Sequence, residues 1–455
     1  MEAVMNYKEF LQNKLITDTP TGMDIETVGD YLFDFQRDIV KWALRRGRAA
    51  IFADCGLGKT PMQLEWANHI TGNVLILAPL AVAQQTVREG QKFGIEVQYC
   101  RDQSQIKSRI VIANYEMLEH FNPEYFTGVV LDESSILKSY SGKFRNLIIE
   151  SFARTPFRLA CTATPAPNDY MELGNHSEFL GVMSRREMLS MFFVHDGGDT
   201  SKWRLKGHAE SEYWKWLCSW GVMIRKPLNL GYEDNDFKLP TMHLHEHIIT
   251  TELRLPGQLF VMEAQTLSER QKARKGTTTE RVKKCAELAN GNNESWLVWC
   301  NLNDESAALA KAINGAVEVK GSDSNEHKEK AMMDFSEGKI RVLVTKPSIA
   351  GFGMNWQHCK NMAFVGLSDS YEQFYQAVRR CWRFGQKKPV DVHIITADAE
   401  GAVLRNIKRK EYDTIKMAES MVEHMHTINE QNIKGTSRQK TKYEPNKKMR
   451  RPSWM

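Results

Sequence analysis

The sequence has no stretch approaching the roughly 18 continuous apolar residues that a membrane-spanning helix needs. Its first residues also lack the pattern of a secretory signal peptide. The eight cysteines are scattered and include no C-x-x-C pair, which argues against a disulfide framework and against a cysteine-based zinc site. We therefore expect free thiols, a cytoplasmic location and no membrane partner.

The chain also lacks a net positive charge outside its last 22 residues. Its formal net charge is +5, but the segment from Lys434 to Met455 contains eight Lys/Arg and one Glu, a charge of +7, which leaves −2 for the remainder. We predict that this polar tail is disordered. A solubilising role is the favoured interpretation, and a sequence-independent phosphate-binding arm is the alternative.

What the chain does contain is a glycine-rich turn after a short apolar strand. The stretch from Ala53 to Thr60 reads ADCGLGKT and follows the apolar run from Ala49 to Phe52. Glycines let successive backbone N–H groups surround phosphates, while a lysine reaches the β/γ-phosphates and a hydroxyl ligates Mg²⁺. Residues Pro61 to His69 are predicted to form the helix whose N-terminus faces that anion. Ala53 stands where the general pattern has glycine, so the loop alone does not decide the function.

Short apolar strands alternate with helical segments along the first half of the chain, which predicts an α/β fold with a parallel sheet. One strand, Val129 to Leu131, runs directly into Asp132 and Glu133. An acid pair at a strand end can hold Mg²⁺ with one carboxylate and orient an attacking water with the other. Polar clusters at the carboxyl ends of such strands are where the chemistry of parallel sheets lies.

A second set of strands and helices begins near Trp296 and has no phosphate loop of its own. It carries instead the segment from Gln376 to Gln386, QAVRRCWRFGQ, in which Arg380 and Arg383 share one helix face. Such arginines can reach across a cleft to a γ-phosphate.

These motifs, in this order, resemble those of superfamily-two helicases and translocases over roughly residues 30 to 395. Within the superfamily the chain is most similar to Swi/Snf-type double-stranded DNA translocases and their compact phage-encoded, DEAD/DEAH-like relatives. The glutamine/arginine spacing with its closing Gly-Gln, and the GLGKT loop at 56–60, carry this resemblance most strongly. It implies two RecA-like parallel-sheet lobes in tandem with a mainly helical insertion between them.

The resemblance also implies roles for the matching positions. Gln36 would contact adenine, and ATP and Mg²⁺ would be the cofactors. Catalysis would fall to Glu133 as general base, with Lys59, Arg380 and Arg383. The remaining implied positions are, for the triphosphate, Gly56, Leu57, Gly58, Lys59 and Thr60; for Mg²⁺, Thr60 and Asp132; and for coupling to nucleic acid, Thr162, Thr164, Gly351, Gly353, Asn355 and Gln376. Ser134 and Ser135 depart from the usual Ala-His after the acid pair, so we expect coupling to differ from the family pattern.

The expected organisation, listed along the chain, is an N-terminal helix and linker (1–27), an ATP-binding lobe (28–175), a helical insertion (176–290), a second lobe (291–430) and the basic tail (431–455). In the insertion, Tyr213, Trp216 and Trp220 fall on one helical face. Core packing is the favoured interpretation of these aromatics, and a base-stacking or wedging surface is the alternative.

Three histidines alternate in the segment from Met242 to Ile248, at positions 243, 245 and 247. Strand geometry places them on one face, an arrangement that binds zinc in other proteins. The sequence shows no fourth ligand beside them, so a solvated strand face is the favoured interpretation.

The sequence therefore predicts an ATP-dependent DNA helicase or translocase that contacts mainly backbone phosphates. Duplex DNA is the expected partner, a replication or recombination protein is a candidate second partner, and the chain is expected to be a monomer in isolation. The bacterial host cytoplasm is the expected location of a phage-encoded protein. Two rivals stay open: an RNA helicase of the same architecture, and a non-catalytic nucleotide-gated DNA clamp.

Overall fold

The computed structural model describes residues 20–433, apart from 139–141, 167–168, 197–198, 235–236, 251–271, 273, 351–353, 369 and 399–400. The described chain is an α/β protein with two parallel sheets, one in each lobe. The predicted N-terminal helix and basic tail lie outside the described residues, as do Gly351 and Gly353.

The first lobe is built on a seven-stranded sheet in the order β3-β4-β2-β5-β6-β1-β9, with every pairing parallel. Its strands are β1 Arg48–Ala53, β2 Val74–Ala78, β3 Gln98–Tyr99, β4 Ile110–Asn114, β5 Gly128–Asp132, β6 Phe157–Thr162 and β9 Gly221–Ile224. The central strands are apolar and buried on both faces because helices cover each side of the sheet. Alternate residues therefore belong to two separate cores: Ala50 and Phe52 pack on one face, and Ala49 and Ile51 on the other.

The first helix of this lobe precedes β1, and the others lie between its strands along the chain. They are α1 Asp34–Arg46, α2 Lys59–His69, α3 Leu80–Lys92, α4 Lys143–Ser151, α5 Leu173–Leu180, α6 Arg185–Phe192 and α7 Glu210–Trp220. An antiparallel hairpin, β7 Phe193–Asp196 and β8 Asp199–Leu205, lies between α6 and α7. The segment between β6 and β9 is thus mainly helical.

The aromatic residues of α7 form part of the first lobe's core. Tyr213, Trp214, Trp216 and Trp220 are all buried and pack edge-to-face or tilted against one another. This is the core packing that the helical spacing favoured. These rings offer no exposed face on which a base could stack.

The second lobe has a six-stranded parallel sheet in the order β10-β15-β14-β11-β13-β12. Its strands are β10 Met242–Ile249, β11 Trp296–Cys300, β12 Ala316–Val319, β13 Val342–Thr345, β14 Asn361–Val365 and β15 Val390–Ala397. Its helices are α8 Thr278–Asn290, α9 Asn303–Ala312, α10 Asn325–Ser336, α11 Pro347–Ala350 and α12 Tyr371–Val378. Two strands from the stretch between the lobes thus join their sheets, β9 the first and β10 the second.

A 33-residue helix, α13 Gly401–Ile433, leads from the second lobe back to the first. Val403 and Ile407 pack in the second lobe's core, whereas Met421 and Met425 are buried in the first lobe's core. One continuous helix therefore contributes to the cores of both lobes.

Within the described residues, no helix has the length and apolar content that a membrane crossing needs. All eight cysteines are free; seven are buried and Cys55 is partly exposed. The prediction of free thiols is confirmed.

Candidate active site

The glycine-rich loop connects β1 to α2, as its sequence predicts. Gly56 and Gly58 have φ angles of 90° and 76°, in the left-handed region that favours glycine. A Cβ added at Gly58 would lie 2.2 Å from Gln36 Nε2, and one at Gly56 would lie 3.0 Å from the backbone nitrogen of Phe384 in the second lobe. Lys59 Nζ donates to the carbonyl oxygen of Ala53 at 2.9 Å and so lies inside the turn. Close approach and backbone conformation therefore both require these glycines.

Gln36 supports the glycine-rich loop through a hydrogen bond to the loop backbone. Its side chain is buried, and Nε2 donates to the carbonyl oxygen of Leu57 at 2.9 Å. Its Oε1 accepts from the backbone N–H of Phe33 at 3.0 Å. Both ends of the amide are thus engaged within the first lobe, and the contact with adenine stays a prediction.

The acid pair lies at the end of β5, where the adjacent strands also end. Gln63 Nε2 donates to Asp132 Oδ1 at 2.8 Å, and Thr162 Oγ1 on β6 donates to Glu133 Oε1 at 2.9 Å. Among the described residues, Glu133 is the only non-glycine residue with a positive φ, 58°. Such backbone strain concentrates at functional sites because the surroundings must hold it in place.

Burial raises the pKa of both acids. For Asp132 the rise is opposed by the hydrogen bond from Gln63 and by the positive charge of Lys59. For Glu133 it is opposed chiefly by Lys59, while the neighbouring Asp132 charge adds to the rise. A raised pKa brings a carboxylate closer to the range in which it accepts a proton effectively at neutral pH.

The second lobe brings a glutamine and two arginines to the same acids. Gln376 Nε2 on α12 lies 3.4 Å from Glu133 Oε1. Arg380 Nε donates to the carbonyl oxygen of Gln376 at 3.0 Å, and Arg380 is buried. Burial lowers the pKa of Arg380 and Arg383, and for Arg383 the neighbouring Arg380 charge lowers it further. Two desolvated cations close together are stabilised by an anion between them.

Several of these groups line one cavity of about 240 Å³ between the lobes, whereas Gln63, Thr162 and Gln376 contact its acids without lining it. It is lined by Cys55, Gly56, Gly58, Lys59, Thr60, Pro61, Val82, Gln85, Glu89, Asp132, Glu133, Asn355, Gln357, Arg380, Arg383 and Phe384. Nine of the positions singled out in the sequence thus meet in one place.

The lining fits a magnesium–nucleotide complex. Among the described residues, Arg383 Nε and Asn355 Oδ1 are buried without a hydrogen-bond partner, as expected of groups that a ligand satisfies. Thr60 and Asp132 offer oxygen ligands of the kind Mg²⁺ prefers. The cavity is smaller than the 300–1,000 Å³ typical of sites for drug-sized ligands, so it matches the phosphate end of a nucleotide rather than the whole molecule.

The other predicted positions lie around this cavity. Thr164 is buried, and its backbone N–H donates to Thr162 Oγ1 at 3.1 Å, so the segment after β6 is tied to the Glu133 carboxylate. Leu57 on the loop and Gln36, which donates to its carbonyl oxygen, do not line the cavity. Gly351 and Gly353 lie outside the described residues.

Sequence reasoning missed three groups at this site. Gln63 on α2 orients Asp132, and its position one helical turn after Lys59 was the available signal. Arg379 and Tyr375 reach across the cleft to Asp54: the Arg379 guanidinium lies 3.1 Å from Asp54 Oδ1, and the Tyr375 hydroxyl donates to the same oxygen. Both neighbour predicted residues, but nothing in their spacing indicates a partner more than 300 residues away.

Residues 280–385 match the sequence profile of the helicase conserved C-terminal domain. The matched range contains β11 to β14, Gln376 and both arginines of the cavity. This part of the second lobe is therefore similar to the helicase conserved C-terminal domain, which supports the resemblance to superfamily-two helicases.

Among curated proteins, the chain is 34% identical over 94 residues to the bifunctional helicase and thymine dioxygenase JBP2 of Leishmania braziliensis and of Leishmania major. That alignment covers 20% of this chain and only 9% of those proteins. The chain is also 23% identical over 457 residues to the putative protein p41 of Acyrthosiphon pisum secondary endosymbiont phage 1, covering 84% of this chain and 97% of p41.

Among solved structures, the Sulfolobus solfataricus SWI2/SNF2 ATPase core in complex with dsDNA aligns with 90% of this chain and 98% of its own, with 16% identity and a TM-score of 0.42.

Proposed function

We propose that this chain is a DNA-dependent ATPase that translocates on duplex DNA, with ATP and Mg²⁺ bound between its lobes. The observation that carries the proposal is the cavity in which Lys59, Thr60, Asp132 and Glu133 face Arg380 and Arg383, which follow them by about 250 to 320 residues along the chain. Neither lobe holds this set alone, so the site is complete only when the lobes are together. That dependence is what a motor needs to couple nucleotide turnover to lobe movement.

The roles of the residues follow from where they lie. Lys59 and the loop N–H groups would hold the β/γ-phosphates, and Thr60 and Asp132 would hold Mg²⁺, which supplies charge neutralisation at the phosphates. Glu133 would orient the attacking water and take its proton. Arg380 and Arg383 would stabilise negative charge on the transferred phosphoryl group.

Coupling to the nucleic acid would run through Glu133. Thr162 and Gln376 both hydrogen-bond its carboxylate, one from each lobe. A change at this carboxylate during hydrolysis is therefore transmitted to the segment after β6 and to α12 at once. Contacts to DNA are proposed to be mainly with backbone phosphates, which gives little sequence preference and a strong salt dependence.

The test is ATP hydrolysis by the full chain with duplex DNA, single-stranded DNA and RNA in turn. We expect duplex DNA to stimulate hydrolysis most, and we expect Glu133→Gln to lower the stimulated rate on the order of 10²-fold or more while ATP still binds. Lys59→Ala should lose ATP binding or turnover. Glu150→Gln, which changes an exposed acid on α4, is the matched control and should keep the wild-type rate.

The outcomes separate the rival functions. Stimulation by RNA alone would replace the proposal with an RNA helicase, since the 2′-hydroxyl distinguishes the two substrates. Absence of turnover with all three polynucleotides would favour the nucleotide-gated clamp. Full DNA-stimulated hydrolysis by both Glu133→Gln and Lys59→Ala would show that the cavity is not the hydrolytic site.

A further inference from the structure

Five side chains able to bind a metal ion lie on one face of two adjacent strands, far along the chain from the nucleotide cavity's residues in the first lobe. β10 contributes His243, His245 and His247, and β15 contributes Asp391 and His393. The strands pair in parallel with His243 opposite Asp391 and His245 opposite His393. Because side chains alternate along a strand, all five project from the same face. β15 thus supplies the partners that the sequence of β10 alone did not show.

The ligand atoms are already close to one another. His243 Nδ1 and His245 Nε2 lie 3.1 Å and 2.9 Å from the same oxygen, Asp391 Oδ1. One ligand atom from each of these three residues lies within 4.8 Å of the other two. Tetrahedral zinc with bonds of about 2.0–2.1 Å separates its ligand atoms by about 3.3 Å. Small side-chain rotations therefore suffice to place an ion between them.

The two other histidines of this face, His247 and His393, lie beside the group formed by His243, His245 and Asp391. His247 Nε2 lies 3.0 Å from His393 Nδ1, and the rings of His245 and His393 stack with their centroids 4.6 Å apart. The positive charge of Lys284 on α8 acts on them, whereas Glu246 projects to the other face and pairs with Lys408. The imidazoles are thus held in fixed orientations, as ligand histidines usually are.

We propose that His243, His245 and Asp391 bind a divalent transition-metal ion of the Zn²⁺ class, with a water molecule in the fourth position. Two imidazoles and one carboxylate select Zn²⁺, Co²⁺ or Ni²⁺ over Mg²⁺, which prefers oxygen ligands. The ligand side chains are 50%, 42% and 29% exposed, so the ion can enter from solvent. The bound ion would pin β10, an edge strand, to β15.

The experiment is calorimetric titration of the full, untagged chain with Zn²⁺ in excess Mg²⁺, which keeps oxygen-rich sites occupied. We expect one Zn²⁺ per chain, and at least tenfold weaker binding for His245→Gln and for Asp391→Asn. His327→Gln is the matched control, because His327 is also half-exposed, lies in the same lobe and is 3.8 Å from an aspartate, Asp323. It should bind Zn²⁺ as the wild type does.

Two further readouts keep the proposal open to refutation. Zn²⁺ should raise the melting temperature of the wild type and of His327→Gln but not of the two ligand variants, whose metal-free melting temperatures should match the wild type. Should a ligand variant fail to fold, His243→Gln at the most exposed of the three positions replaces it. Absence of Zn²⁺ uptake by the wild type, or equal uptake by the ligand variants, would mean that the cluster is a hydrogen-bonded network without an ion.

Discussion

His176 lies directly behind the acid pair, although the sequence around the pair contains no histidine. The motif continues with Ser134 and Ser135, and His176 on α5 comes within 3.1 Å of Ser134 Oγ through its Nε2. The imidazole is fully buried, with its ring edge-on to Phe52. A histidine therefore contacts the residue after Glu133 in this chain, and it is supplied by another element than the acid pair.

Burial lowers the pKa of His176 to about 4, compared with 6.5 for the unfolded chain. The unfolded state therefore binds more protons between these two values, and the stabilisation present above pH 6.5 is lost as the pH falls toward 4. We predict that His176 alone costs about 2 kcal/mol of unfolding free energy between pH 7 and pH 5.

Urea unfolding of the wild type and of His176→Gln at both pH values measures this difference. The variant should show a smaller loss of unfolding free energy on acidification, because glutamine keeps a hydrogen-bonding group without titrating. His208→Gln, at an exposed histidine, should behave as the wild type does. An equal pH dependence in His176→Gln and the wild type would contradict the prediction.

At the scale of single residues, the sequence predicts those site residues whose partners are close in the chain or belong to a motif. Asp132 and Glu133 could be predicted because they end an apolar strand, and Lys59 because it follows a glycine-rich turn. Gln63 and His176 could not, since their roles depend on which helix face packs against the end of β5. That packing is a tertiary property with no local pattern.

Among the elements, α13 is the one that the local sequence explains least, and it packs against both lobes. Its first turns pack in the second lobe through Val403 and Ile407, and its later turns pack against α7 in the first lobe. The backbone carbonyl of Met425 lies 4.0 Å from Cys218 Sγ, and the ring of His424 stacks on Trp214 at 5.1 Å. The C-terminal helix thus completes a core built by residues 200 positions earlier.

We predict that Met425→Ala lowers the unfolding free energy of the first lobe by about 2–5 kcal/mol, because it opens a cavity beside α7 at a fully buried position. The control is Tyr412→Ala on the same helix, where the side chain is 64% exposed and the change should stay within about 0.5 kcal/mol.

Urea unfolding followed by tryptophan fluorescence reports on this packing directly, since Trp214, Trp216 and Trp220 lie on α7. Equal midpoints for Met425→Ala and Tyr412→Ala would show that α13 does not contribute to the first lobe's stability in solution.

Several elements of both lobes could be predicted from apolar runs and turn residues, and the predicted bounds lie within a residue or two of those in the structure. β1 extends from Arg48 to Ala53 around the predicted apolar run at 49–52, and α2 Lys59–His69 contains the helix predicted from Pro61 to His69. It was harder to predict which strands join each sheet. β9 and β10 are short or alternating segments that complete an edge of each sheet, and edge pairing depends on neighbours distant in the chain.

At the scale of the whole molecule, the lobes meet through a small set of polar and aromatic contacts beside the cavity. Arg379 donates to the carbonyl oxygen of Cys55 at 2.7 Å and pairs with Asp54 at 3.1 Å, with its own side chain only 5% exposed. Phe384 packs on Phe237 and on Phe33 of the first lobe. A second interlobe ion pair, between Lys138 and Glu372, is more exposed on the lysine side.

The loss of each of these contacts should cost a different amount of free energy. Removing one partner of a buried ion pair typically costs 3–5 kcal/mol, whereas an exposed pair is worth about 0–1 kcal/mol. Because α13 keeps the lobes attached, we expect the loss of the Arg379 contact to appear as lobe opening rather than unfolding. Arg379→Gln should shift the ratio of closed to open molecules on the order of 10²-fold, and Lys138→Gln should change it less than tenfold.

Small-angle X-ray scattering of the full chain without added nucleotide tests this difference. The radius of gyration should increase in Arg379→Gln and stay at the wild-type value in Lys138→Gln, while the far-ultraviolet circular dichroism of both matches the wild type. The same variant should need more ATP for half-maximal hydrolysis, since part of the binding energy is then used to bring the lobes together. An unchanged radius of gyration in Arg379→Gln would show that the aromatic contacts of Phe384 and the packing of α13 hold the lobes closed without the Asp54–Arg379 pair.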